Sequence, residues 1–139
     1  MSNTTNLHQS ETKPTHRTLW TGRIMSACVV IALAADGTIQ LFAPAQIASM
    51  LQETGFAMDL TRVVGPITLA CAILYAIPAT AVLGAILVTG FLGGAICAHV
   101  RIGELGSAPE IICLLLAAMA WGGLYARYPR IRAVLPLIH

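Results

Sequence analysis

Charge is what this chain has least of. Only 10% of its 139 residues are Asp, Glu, Lys or Arg, where soluble domains carry about 25%. So small a supply cannot cover the surface of a soluble globule of this size, whereas a surface facing lipid needs none. The scarcity is also local. From Val63 to Ala98 there are 36 consecutive residues without Asp, Glu, Lys, Arg or His. A buried soluble hairpin is the alternative, but nothing else in the chain could wrap it. The net charge of +2 comes from scattered basic residues with no basic stripe, which excludes a nucleic-acid footprint. Paired cysteines are missing as well. Cys28, Cys71, Cys97 and Cys113 lie singly in apolar stretches without a C-x-x-C pair, so they read as small packing residues rather than redox or metal centres. A Cys97–Cys113 bridge is the one pairing that similar depth would allow. No metal site and no catalytic motif is expected.

What is present is apolar: 57% of the chain. One crossing of a hydrocarbon core takes about 20 residues, so the uncharged stretch is too long for one ordinary span and fits two short ones. Pro78 sits near its middle, where proline ends one helix and suits the first turn of the next. The expected fold is all-α, a transmembrane four-helix bundle with spans at about 24–43, 62–77, 79–100 and 110–126. Residues 1–18 are polar, bury too little to offset their ordering entropy, and read as a flexible tail. Residues 19–139 form the single membrane domain. A cleaved signal peptide is the competing reading of Arg17, Arg23 and the run Ile24–Leu33, with Ala32-Leu33-Ala34 as its cleavage site. Against it stand a long leading segment and the apolar residues Ile39, Leu41 and Phe42 beyond Asp36-Gly37. Pro44 ends the first span. Ala45–Thr54 then reads as a short amphipathic helix on the membrane surface, with Gly55 as its C-terminal cap.

Four spans place both termini on one side with Lys13, Arg17, Arg23, Arg127, Arg130 and Arg132, six basic residues, against Arg62 and Arg101 on the other. The positive-inside rule puts the termini in the cytoplasm. Trp20, Trp121 and Tyr125 suit the same interface.

Asp36 is the most informative residue. An acid within a span costs roughly 2.5 to 3.5 kcal/mol at the helix centre, and Asp36 lies past the midplane toward the outer face. Gln40 shares its side four residues on, on a stripe with Gly22, Met25, Val29 and Ala32. Arg62, His99, Arg101 and Glu110 reach the same end, and Arg101, in line with Gly90, Gly94 and Cys97, is the expected inward-facing member. Asp36, Gln40, Arg62, His99 and Arg101 are therefore the candidate site. Two readings stay open. Either Asp36 pairs with Arg101 or Arg62 and pins helices together, or the cluster binds a small molecule or a quinone head group, or carries protons. A cavity reaching Asp36 would favour a ligand; a solid bundle would favour an anchor or scaffold.

Gly90 and Gly94 make a GxxxG spacing that Ala98 extends, which points to close helix packing within the bundle or to a homodimer face. No strand precedes this run and no Lys follows it, so it is not a phosphate loop. Gly65, Thr68, Cys71 and Tyr75 share one side of the second span, where Tyr75 donates either to a ligand or, as the favoured reading, to a neighbouring carbonyl.

Ala35-Asp36-Gly37, the run Ala79-Thr80-Ala81-Val82-Leu83-Gly84-Ala85, and Gly93-Gly94-Ala95-Ile96-Cys97-Ala98-His99-Val100-Arg101 resemble the DoxX-like family of small four-helix bacterial membrane proteins. The similarity runs from about Trp20 to Pro136 and includes Arg127-Tyr128-Pro129-Arg130. The resemblance implies a bacterial inner-membrane protein, an accessory or anchoring subunit near quinone-linked redox chemistry with a redox partner subunit. Such a partner would have to hold the redox centre. This chain has no pair of spaced intramembrane histidines for haem and no cysteine set for an iron–sulfur cluster. A small-molecule or lipid transporter and a membrane scaffold remain the alternatives.

Overall fold

The computed structural model describes residues 16–134. The tail expected over residues 1–18 falls largely outside them; the first helix, α1, runs His16–Phe42. After a 3-10 turn at Pro44–Ile47 come the short helix α2, Ala48–Thr54, and a second 3-10 turn at Met58–Leu60. Three further long helices follow: α3 (Thr61–Ala76), α4 (Ala81–Arg101) and α5 (Ala108–Arg127). A last turn of helix, α6, covers Pro129–Val134.

Among the described residues, four helical segments are long and apolar enough to cross a membrane. The 21 residues of α4 rise about 31 Å, the thickness of a hydrocarbon core. Large apolar side chains such as Ile31, Val63, Ile86 and Leu115 point outward, as lipid-facing residues do. The helices form a ring: α1 packs on α3 and α5, and α4 packs on the same two from the opposite corner. Both ends of the described chain lie at one end of this ring, here the terminal end; α2 and the α4–α5 loop lie at the distal end.

Turn chemistry sets the joints. Ile77–Thr80 separates α3 from α4, and the Thr80 hydroxyl donates to the Leu74 carbonyl at 2.8 Å, satisfying an orphan group at the end of α3. Helix α4 therefore starts at Ala81, two residues later than the sequence suggests. Gly55, at φ 71°, ends α2 as expected, since glycine takes the left-handed conformation without strain.

The core of the terminal half is closely packed. Val29, Leu33, Tyr75, Val88 and Leu124 are fully buried there. Tyr75 donates to the Ala120 carbonyl at 2.8 Å, as read from sequence. Its single proton is thereby used, so the Ser26 hydroxyl must be the donor across the 3.1 Å contact to Tyr75 Oη.

Close approach of backbones occurs at glycines other than the expected pair. A Cβ built on Gly37 would stand 3.0 Å from the Gly65 carbonyl, and one on Gly123 would stand 3.1 Å from the Gly22 carbonyl. One on Gly84 would collide with the backbone of Tyr75. By contrast, a Cβ on Gly90 or Gly94 meets nothing within 4 Å. Tight packing of the GxxxG pair inside the bundle is thus overturned, because α4 stands back from its neighbours at that level.

A substitution pair separates the two kinds of glycine. Gly84→Ala should destabilise the protein by about 1–3 kcal/mol through overpacking. Gly90→Ala should be neutral or stabilising by up to about 1 kcal/mol through helix propensity. Thermal unfolding in detergent micelles measures both; a larger loss at Gly90 than at Gly84 would contradict this packing.

Candidate functional site

The space left by α4 is a cavity of about 690 Å³ in the distal half of the bundle. Asp36 and Gln40 of α1, Val64 of α3, Gly90, Gly94 and His99 of α4, and Cys113 of α5 line it, and Leu51 and Phe56 close over it from the α2 segment. The walls are mainly apolar, with a few polar groups toward the distal end, the composition common to small-molecule sites.

Asp36 reaches this cavity without a cation beside it. Its Oδ2 accepts a 2.6 Å hydrogen bond from Gln40 Nε2, one helical turn on. The expected ion pairs are absent among the described residues. Arg62 stands at the surface with Asp59, Nη1 to Oδ1 3.9 Å, because the 3-10 turn at Met58–Leu60 brings that acid to the start of α3. Arg101 turns away from Asp36 toward α2.

His99, not Arg101, is the inward-facing member. It is buried, and its Nδ1 lies 2.8 Å from Glu104 Oε2. Backbone geometry explains the contact. The Gly103 N–H bonds the Val100 carbonyl and the Glu104 N–H bonds the His99 carbonyl, while Gly103 takes φ 83°. This is a Schellman cap, in which the second residue past the helix end folds back onto the third from last. Those two positions are usually apolar; here they are Glu104 and His99. An ionised carboxylate only accepts, so Nδ1 carries the proton and Nε2 is the nitrogen left for the cavity. Among the described residues nothing pairs with Nε2.

The end of α2 repeats the device with apolar residues. The Gly55 N–H bonds the Gln52 carbonyl and the Phe56 N–H bonds the Leu51 carbonyl, which brings Phe56 back over Leu51 above the cavity. Arg101 ties the two caps together. Its Nη2 donates to the Thr54 carbonyl, and its guanidinium lies 5.5 Å from the Phe56 ring centroid. It thereby satisfies an orphan carbonyl of α2 and stacks on an aromatic face.

Of the five residues expected at the site, Asp36, Gln40 and His99 share the cavity, Arg101 braces its cover, and Arg62 lies outside it. Glu104 was missed, although Gly103 after a helix end followed by an acid is the signal that would have found it. Glu110, expected in the same cluster, instead accepts from the Gly106 N–H at 2.6 Å. Cys97 and Cys113 are both free thiols. No group of three or more His, Cys, Asp or Glu able to hold a metal occurs among the described residues.

A family model described as the DoxX-like family matches residues 24–123. The chain belongs to the DoxX-like family. The matched region begins in α1 and ends near the close of α5, so it takes in every helix that lines the cavity. No curated protein and no solved structure matches this DoxX-like chain.

Because Asp36 has an amide and not a cation as its partner, removing its charge strands nothing. Asp36→Asn keeps an oxygen for Gln40 and should leave the melting temperature in detergent unchanged or raised. A clear fall would show that Asp36 is ion-paired in the folded protein.

Proposed function

We propose that this DoxX-like protein binds an amphiphilic small molecule of the quinone class in its distal cavity, as an accessory subunit to a redox partner in the bacterial inner membrane. The observation that carries the reading is the cavity itself, which reaches Asp36 and His99 where a solid bundle would leave no room. Its volume falls within the range of about 300–1,000 Å³ usual for small-molecule sites. The chemistry of the walls fits a ring with oxygen substituents. His99 Nε2 accepts from a hydroxyl, or donates to a carbonyl once the ring is protonated. Asp36 retains one carboxylate oxygen, and Gln40 a second amide proton, beyond the bond they share. Gly90 and Gly94 supply flat wall against which a ring or a prenyl chain can lie.

A bound quinone would supply two-electron, two-proton chemistry, and the electrons would belong to the partner. The residues of this chain would orient the head group. Glu104, partly exposed at the distal end, would hold His99 in one tautomer and connect it to water. In this reading both termini are cytoplasmic and the cavity opens toward the outer face. Transport of a lipid or small molecule is the second reading, favoured by the same cavity. It would require the buried core around Leu33, Tyr75 and Val88 to part, and we therefore place binding first.

Adding decylubiquinone to the purified protein should raise its melting temperature saturably, as ligand linkage requires. His99→Ala should weaken the apparent affinity by roughly three- to tenfold, the worth of one net hydrogen bond. Gly94→Leu should abolish the shift while the protein still folds. No shift at saturating quinone, or an undiminished one in Gly94→Leu, would remove the proposal.

A further inference from the structure

A second concavity lies at the terminal end, away from the cavity described above. Its volume is about 320 Å³, and it is lined by Arg23, Ser26, Val30 and Ile31 of α1, Tyr75 of α3 and Arg127 of α5. The two arginines belong to different helices and are brought together by a glycine. A Cβ added to Gly22 would stand 2.9 Å from Cγ of Arg127, so the arginine stem crosses α1 beside Arg23 only because that position has no side chain. Arg127 stacks on Tyr128, 5.3 Å from its ring centroid. Arg23 is exposed and has no ionic or hydrogen-bond partner among the described residues.

Among the described residues, charge at this end is of one sign. The described acids are Asp36, Glu53, Asp59, Glu104 and Glu110, and all lie in the distal half. Arg17, Arg23, Arg127 and Arg130 face no carboxylate among the described residues. Below the arginines the groove is apolar, running along Val30 and Ile31 with the paired hydroxyls of Ser26 and Tyr75 at its floor. A cationic head above an apolar channel on the lipid-facing side of a span matches one occupant, an anionic phospholipid. Its phosphate would meet the guanidinium groups, and an acyl chain would follow the groove. We infer that the Arg23–Arg127 groove is a binding site for one anionic phospholipid, holding α1 and α5 together at the membrane interface. This inference is independent of the quinone reading.

The test is thermal unfolding of the full-length protein in mixed micelles with increasing phosphatidylglycerol. Phosphatidylcholine, glycerol 3-phosphate, and the variants Arg23→Gln and Arg130→Gln serve as comparisons. Phosphatidylglycerol should raise the melting temperature saturably. Arg23→Gln should weaken the apparent affinity by about fivefold, the contribution of one basic residue near a charged lipid surface, and Arg130→Gln, outside the groove, should leave it intact. The inference is overturned by no shift, by an equal shift with phosphatidylcholine, or by equal weakening in both variants. An equal shift with glycerol 3-phosphate would mean a free phosphate site, and a shift accompanied by dimerisation would mean a second copy; either overturns it too.

Discussion

The bundle depends on helix backbones touching where no side chain intervenes. In lipid there is little hydrophobic force to drive helices together, so contact area and packing must do it. Three of the four seams have such contacts: Gly22 with Gly123 between α1 and α5, Gly37 with Gly65 between α1 and α3, and Gly84 against Tyr75 between α3 and α4. The seam between α4 and α5 has no glycine contact. It is joined by side chains, among them Trp121 donating to Thr89 at 2.9 Å. Fixing three seams and leaving the fourth to side chains gives a molecule with a packed core in its terminal half and an open core in its distal half.

The open half is kept polar at little cost by local devices. Asp36 and Gln40 satisfy each other within one turn of α1. His99 and Glu104 satisfy each other within one helix cap. Neither pair links two helices, so neither needs the bundle to be tight where it lies. Arg101 is the exception: it reaches from α4 to α2 and so ties the cover to the bundle. The Asp36 charge therefore does not pin the fold.

The spans, the joint after Pro78 and the cap at Gly55 were legible in the sequence because each depends on near neighbours: a hydropathy run, a ring without an N–H, a residue free to take positive φ. Tyr75 was legible for a similar reason, since a buried phenol must find an acceptor. The partners of Asp36 and the role of Gly90 were not. Helical spacing shows which residues share a stripe but not how far away the facing helix lies, and a GxxxG pair reads alike whether it meets a backbone or a void. Depth along the span puts Arg62 in the cluster, and depth together with the Gly90–Gly94–Cys97 stripe puts Arg101 there, yet their partners, Asp59 and the Thr54 carbonyl, come from the segment between the first two spans. The Glu104–His99 contact was within reach of sequence reasoning, because it follows from a glycine at the end of a helix.

What sets this bundle apart is the empty volume beside Gly90 and Gly94 in its distal half. A density map of the protein in lipid nanodiscs, resolved well enough to show side chains, tests this most directly. It should show α4 standing clear of its neighbours at that level, with non-protein density between Asp36 and His99. Protein side chains filling that space, with Asp36 against an arginine, would contradict it.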